Sequence, residues 1–425
     1  MQPLEFQYLG VTNTQEYNMT IVQPYESAYI DIGVDDWMIV DGDYTIPQTY
    51  NPAYRQVQLL PIEIYSSAMV YQGIIDNYLY FTYTQNWFDI DRWEFQVNRY
   101  ATGVSTLAVG GLIRFTHNGT SHIGIIERLE RPLGIDGKAS ENWLISGHGV
   151  EAILASRLCT YATASGTGYH TITDSATVTM RTLVDKNCIT TDAARIITGL
   201  TLDATPDADI TSVKISARFQ VLTDALYDIA TQSGLSYYLA WSGSGLNFVF
   251  NMRKGTDRSA TVKISPDYDN VKSFNYLLTN AELKNLAYVG GVGTANTRDV
   301  DAVYISSEPS GWSRREAWVE ASDCLDTATM LSRGTSYLAT TGVQTVLEAV
   351  YNESNTFKYG TDFFLGDTIT VVFPNIITTT GQIVSATEKF DGNGVLTTLT
   401  IGRVYPTLAG VMKTYQKQVS AQLRR

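Results

Sequence analysis

The chain is short of the residues on which protein chemistry usually runs. Its 425 residues include four histidines and three cysteines, and 30 Lys and Arg face 43 Asp and Glu. Cys159, Cys188 and Cys324 are odd in number, far apart and free of any Cys-x-x-Cys spacing. Neither a disulfide framework nor a zinc ribbon is indicated, and buried thiols are expected. A net charge of −13 argues against a protein that grips duplex DNA, which needs a basic footprint. It leaves open a pore through which DNA passes without sticking, although charge alone fits an ordinary acidic soluble protein better. No run of about 18 apolar residues occurs, so no membrane-spanning helix is expected. The opening Met1-Gln-Pro-Leu-Glu-Phe-Gln-Tyr8 has no basic region and no apolar core, and is not expected to act as a signal peptide.

What the chain does have is β-formers. Tyrosine is abundant at 27 residues, Thr, Ser and Val are frequent, and the composition leans all-β or α+β. The length suggests about three domains. Residues 1–56 read as an extended arm or small β-domain, with Ala28-Tyr-Ile-Asp-Ile alternating. From Leu60 the strands improve: Ile62–Tyr65 and Tyr71–Asp76 read as strands, and Trp93–Val97 alternates cleanly. Asn118-Gly119 between two apolar runs predicts a type I′ hairpin. Helices are expected over Val150–Tyr161, from Thr191, over Asp224–Gln232 with Thr223 as cap and Gly234 as stop, over Asp323–Leu338, and from Pro406 to the end. The apolar stripe of the last helix serves a core or a subunit contact.

The chain also repeats itself. Gly110-Gly-Leu-Ile-Arg-Phe leads through a turn to Gly124-Ile-Ile-Glu-Arg and then through Asp136-Gly137 to Trp143–Gly147. Gly366-Asp-Thr-Ile-Thr-Val leads to Gly381-Gln-Ile-Val-Ser and then through Asp391-Gly392 to Leu399–Gly402. The glycine spacings are 14 and 15, then 23 and 21. One such match fits the general grammar of antiparallel sheets; the sharper reading is two related β-barrels.

The most distinctive stretch runs from Ser265 to Glu320. It holds Asn270-Val-Lys-Ser-Phe-Asn-Tyr, then Ala287-Tyr-Val-Gly-Gly291, a buried strand ended by two glycines suited to positive φ. It closes on Arg314-Arg-Glu-Ala-Trp-Val319, which alternates like a half-buried strand. In this order the segments resemble the tail-tip baseplate hub of siphophages (the tail-associated protein of long non-contractile tails), and the resemblance runs roughly from Leu59 to Leu408. It implies a homotrimer whose two similar barrels per subunit make a ring of six. Such a ring would dock a threefold tip on sixfold tail rings. The implied partners are the distal tail protein ring, the tail tube protein, the tape-measure protein and other tail-tip or receptor-binding proteins, with DNA passing unspecifically. The implied place is the virion, after synthesis in the host cytoplasm. Hubs of this family often carry long C-terminal receptor-binding or wall-degrading domains. This chain stops about twenty residues after the second barrel, so lytic and host-binding roles are expected in other tip proteins.

Candidate chemistry is sparse. His117 and His122 flank the Asn-Gly turn and lie diagonally on one face, about 7–8 Å apart. With no third ligand nearby, a polar rim position fits better than zinc. His148, between Gly147 and Gly149, could act as a base, but no Gly-x-Ser-x-Gly exists, and a structural turn is expected. Gly290-Gly-Val-Gly293 lacks the Lys-Ser/Thr of a phosphate loop and reads as a turn. Asp35-Asp36 and Asp89/Asp91 pair carboxylates, as a glycosidase or calcium site would, but solvated turn acids are expected. Asn18, Asn118 and Asn352 match the glycosylation pattern without weight. Trp87, Trp93, Trp143, Trp241, Trp312 and Trp318 read mostly as core anchors, although a sugar platform would use exposed rings.

The expected fold is mainly β (α+β), multi-domain, with two related small β-barrels, short helical insertions and a C-terminal helix. The expected divisions are 1–56, 57–150 (first barrel), 151–275 (inserted α+β domain), 276–405 (second barrel) and 406–425 (helix). The expected role is a structural hub that caps and gates the tail tube during DNA ejection. No catalytic, cofactor or metal residue is assigned and no enzyme is expected. The alternatives are a tail-associated cell-wall hydrolase and a carbohydrate- or receptor-binding tail-tip protein.

Overall fold

The computed structural model describes residues 59–133, 137, 139–160, 170–204, 212–322, 324, 326–351 and 357–402, together with short strands at 28–31 and 37–40. The chain forms two compact units, Met1–Gln58 and Leu59–Arg425. In the first, β1 (Ala28–Asp31) pairs antiparallel with β2 (Trp37–Val40). The predicted helix from Pro406, the acids Asp35 and Asp36, and Asn18 and Asn352 lie outside the described residues.

The second unit is mainly β, as expected. It opens with β3 (Ile62–Tyr65), β4 (Tyr71–Ile75), β5 (Tyr80–Asn86), β6 (Arg92–Asn98), β7 (Leu112–His117), β8 (Thr120–Glu130) and β9 (Asn142–Gly149). Period-2 alternation gives these strands one core face. In β6, Trp93, Phe95 and Val97 are buried while Arg92 and Asn98 are exposed. The core gathers Ile62, Ile64, Phe81, Phe95, Phe115, Ile126 and Ile145; each contributes on the order of 1.5–3 kcal/mol by leaving water. The β7–β8 hairpin turns through Asn118 and Gly119 at φ 48° and 74°, the geometry that an Asn-Gly turn supplies.

Next comes a helical insertion: α1 (Ala152–Ala155), β10 (His170–Ser175), α2 (Ala176–Val184, extended by a π-helical turn to Ile189), β11 (Leu200–Leu202), β12 (Ser212–Ala217), α3 (Leu222–Ser233), β13 (Ser236–Trp241) and β14 (Phe248–Arg253). Strand β10 pairs with β12, and β11, β14 and β13 make a three-stranded sheet in that order. Helix α3 stops at Gly234 in the left-handed region, φ 77°. Helix α1 is a single turn, shorter than the expected Val150–Tyr161. The segment from Thr191 holds turns rather than a helix. Helix α2 escapes sequence reading because Thr177, Val178, Thr179, Thr182 and Val184 are β-branched and poor helix formers. Burial of Ala176, Met180, Leu183 and Val184, with the Ser175 side chain accepting from the Val178 N–H, overrides that preference.

The remaining elements are β15 (Lys263–Ile264), β16 (Val271–Thr279), β17 (Leu286–Gly290), β18 (Val300–Tyr304), β19 (Glu316–Glu320), α4 (Thr327–Thr340), β20 (Gln344–Tyr351), β21 (Thr368–Phe373), β22 (Ile377–Asp391) and β23 (Gly394–Gly402). The Ala287–Gly291 strand does not join the second barrel's sheet. Strand β17 pairs antiparallel with β18 and parallel with β19, in a separate sheet covered by α4. Asp326 caps α4, its carboxylate accepting from the Thr329 N–H at 2.9 Å. Gly334 is kept inside α4 because a Cβ there would lie 2.5 Å from Val289.

The glycine repeat is a structural repeat of five strands. Order β5-β6-β9-β8-β7 in one part matches β16-β20-β23-β22-β21 in the other. All neighbours in both are antiparallel. The Gly110 N–H donates to the Ile126 carbonyl and the Ile126 N–H to the Gly111 carbonyl, both at 2.8 Å. Gly366, Ile383 and Asp367 repeat the pattern at 2.9 Å. The register then shifts between Ile126 and Arg128 in one copy and between Ile383 and Ser385 in the other. These are β-bulges at matching places. The extra residue of spacing lies in the second hairpin, where Phe373 faces Ile377 across three residues rather than two. The third glycines are offset by one, since Ile126 pairs with Gly147 and Ile383 with Ile401.

Each five-stranded part has its own core, but among the described residues backbone pairing closes neither on itself. Pairing runs on between them through β22. One edge of this strand carries β21 over Ile377–Gln382 and then β5 over Ser385–Asp391.

Candidate functional site

The bulge at Val384 marks the seam where β21 and β5 meet along β22, and Trp87 plugs it. Its N–H donates to the Val384 carbonyl at 2.9 Å. Its indole N–H donates to the carbonyl of Gly234, at the end of α3, at 3.0 Å. Its ring lies so close over Gly366 that a Cβ there would sit 2.1 Å from it. One buried side chain thus ties together both five-stranded parts and the helical insertion.

Charged groups surround this three-way junction. Asp91 ends the β5–β6 turn and accepts from the Tyr83 hydroxyl at 2.6 Å and the Asn86 N–H at 2.8 Å. Glu151, just past β9, accepts from the Leu239 N–H of β13 at 3.1 Å. Between them Gly149 leaves no room: a Cβ would lie 2.3 Å from Glu151 Oε2 and 3.2 Å from Asp91 Cβ. Arg253 holds its guanidinium 5.0 Å from the Trp87 ring centre and 5.2 Å from that of Tyr238. Burial, and then the neighbouring Asp91 charge, push the Glu151 carboxyl up to about 7. Burial pushes Asp91 up as well. His122 sits 2.9 Å from the Tyr83 hydroxyl. Burial first, then the charges of His117 and Arg253, hold its imidazole down to about 3. Two carboxylates that resist ionising together beside one cation can store a proton. That suits a joint whose stability depends on pH.

The structure separates the residues that sequence reading grouped. His117 and His122 do face one side of the hairpin, Phe115 opposite His122 and His117 opposite Thr120. They take different partners: His117 Nε2 lies 3.0 Å from Glu388 Oε1 of β22, bridging the two parts. His148 Nδ1 lies 2.6 Å from Glu127 Oε2 at the bulge. Asp89 is an exposed turn acid, but Asp91 is not; the solvated reading is corrected by its place under Tyr83. Glu151 and Arg253 were missed. Their only sequence signal is a lone acid after Gly-His-Gly and the first of two adjacent bases, Arg253-Lys254, closing an apolar strand. Gly290 and Gly291 are needed for close approach, not for positive φ: a Cβ would lie 2.3 Å from Trp318 or 2.6 Å from Met330. Within that run only Gly293 is left-handed, at φ 111°. Trp87 and Trp93 are core anchors, whereas Trp318 is half exposed and Trp312 fully so. The three cysteines are buried. Among the described residues no cluster of three His, Cys, Asp or Glu could hold a metal, and no helix is long and apolar enough to cross a membrane.

The fold is that of phage tail proteins. A 43 kDa tail protein of prophage MuSo2 from Shewanella oneidensis superposes with a TM-score of 0.54 at 12% identity, covering 81% of this chain and 98% of that one. Prophage tail protein gp18 from Listeria monocytogenes gives 0.51 at 13% identity, covering 84% and 99%. By sequence, the siphovirus ReqiPepy6 Gp37-like family matches residues 61–403, and the chain belongs to that family. No curated protein matches it in sequence. The protein is a structural part of the virion, placed in the phage tail.

Proposed function

We propose that the chain is the tail-tip baseplate hub. In this reading it assembles as a homotrimer beneath the distal tail ring, meets the tube and tape-measure proteins, caps the tube and opens for DNA ejection. The carrying observation is the duplicated five-stranded unit joined through β22. Two like units per chain let three chains offer six like positions to a sixfold tube. Residues 57–150 and 276–405 would supply these positions, with β15 and the start of β16 taken from 151–275 into the second and the rest of 151–275 as the outer insertion. Light scattering of the purified protein is expected to give three times the mass of one chain. A monomer at micromolar concentration, also in the presence of the distal ring, would count against the trimer. A cleared band in zymography on host cell walls would replace the structural role with the hydrolase.

A second reading has its own observation. Trp312 is fully exposed and Trp318 half exposed on the β17–β19 insertion, as in a module that stacks sugars. If sugar binding is added to the structural role, adsorption of the purified protein to host cells should fall several-fold in Trp312→Ala. Unchanged adsorption would discard it.

A further inference from the structure

We infer that the pocket between α1 and the 192–195 turn is an anion site for a phosphate group carried on a sugar, polyol or nucleotide. The pocket encloses about 320 Å³ and is lined by Ser156, Arg157, Leu158, Thr160, Ala194 and Arg195. Its two guanidiniums are held by neutral oxygens. Arg157 Nε donates to the Arg195 carbonyl at 3.1 Å and Nη1 to Ser156 Oγ at 2.9 Å. Arg195 Nη2 donates to the Leu158 carbonyl at 2.5 Å. Among the described residues no carboxylate lies within 4.0 Å of either guanidinium, although twelve other His, Lys or Arg pairs reach one. The nearest acid in sequence, Asp192, is turned onto the Ala194 N–H at 3.0 Å. In a chain of net charge −13 this is a place where positive charge is fixed in position and, among the described residues, has no carboxylate paired with it.

The geometry selects phosphate over a simple carboxylate. Two planar guanidiniums already oriented by neutral oxygens can each present further N–H donors, and the Thr160 hydroxyl can supply another, whereas the Ser156 hydroxyl is spent on the Ile153 carbonyl at 2.6 Å. A doubly charged phosphate matches two arginines. The volume exceeds that of phosphate alone, and the exposed Leu158 side chain offers an apolar wall to the group that carries it.

Calorimetric titration of the full chain, in a buffer free of phosphate and sulfate, tests this with three probes. They are inorganic phosphate, a glycerol-phosphate oligomer and a single-stranded oligonucleotide. Saturable binding of at least one probe is expected, weakened at least tenfold in Arg195→Gln. Ala194→Glu places a competing carboxylate at the rim and should act likewise should Arg195→Gln fail to fold. Preference for the polyol phosphate would point to a wall polymer, and preference for the oligonucleotide to a nucleic-acid backbone. Absence of binding by all three at millimolar concentration, or equal binding by the wild type and Ala194→Glu, would overturn the site.

Discussion

Gly366→Ala is expected to destabilise the Leu59–Arg425 unit by about 3–5 kcal/mol, the sum of overpacking and backbone strain. Gly366 is left-handed, at φ 92°. A Cβ there would lie 2.1 Å from Cζ3 and 2.3 Å from Cη2 of the Trp87 ring. Trp87 has no free side to move toward: its indole N–H is held by Gly234 and its backbone by Val384. Arg253 stands over its ring. The methyl must therefore push apart the seam between the two five-stranded parts or the contact with the insertion. Gly119→Ala is the control. It is also left-handed, at φ 74°, but nothing lies within 4 Å, so a loss of about 1 kcal/mol is expected. Denaturant unfolding of the two variants measures the difference. A Gly366→Ala protein within about 1 kcal/mol of the wild type would mean that Trp87 is not wedged as described.

The glycine pattern was the most readable part of the chain, and its physical reason is now visible. Gly110 and Gly366 each donate to an isoleucine just before a bulge, so the spacing records a register that strand pairing must keep. Alternation gave β6 because it has one buried face. It could not say which sheet β17 would join, since a short apolar strand ended by glycines fits any sheet, and the parallel pairing with β19 is non-local. Helix α2 was hidden because its β-branched residues favour strands until the core of the insertion buries them. The junction was hidden for another reason. Asp91, Glu151 and Arg253 lie far apart in sequence, and a lone acid in a turn looks the same whether it faces water or Tyr83. Only the meeting of the β5–β6 turn, the exit of β9 and the end of β14 makes them one cluster.

That cluster leads to the other large expected effect: Glu151→Gln should stabilise the protein at pH 8 by up to about 3 kcal/mol and at pH 5 by no more than about 1 kcal/mol. The Glu151 carboxyl is pushed from its ordinary 4.5 up to about 7. Between those values the folded state binds the proton more tightly than the unfolded chain, so this group makes stability fall as pH rises from 4.5 toward 7. His122 works the other way. Held down from 6.5 to about 3, it stays neutral in the fold while the unfolded chain takes up the proton, so stability is lost as pH falls through that window. In the wild type the two slopes oppose each other over most of the acid range. Glutamine keeps an oxygen to accept from the Leu239 N–H but removes the charge that Asp91 and burial disfavour. It also relieves Asp91, whose own rise owes mainly to burial. The variant should therefore keep the rising His122 slope and lose the falling one, and its stability should climb to about pH 6.5 and then level off. Unfolding midpoints measured from pH 5 to 8 decide this: parallel profiles for the two proteins would show that Glu151 carries no displaced proton at the junction.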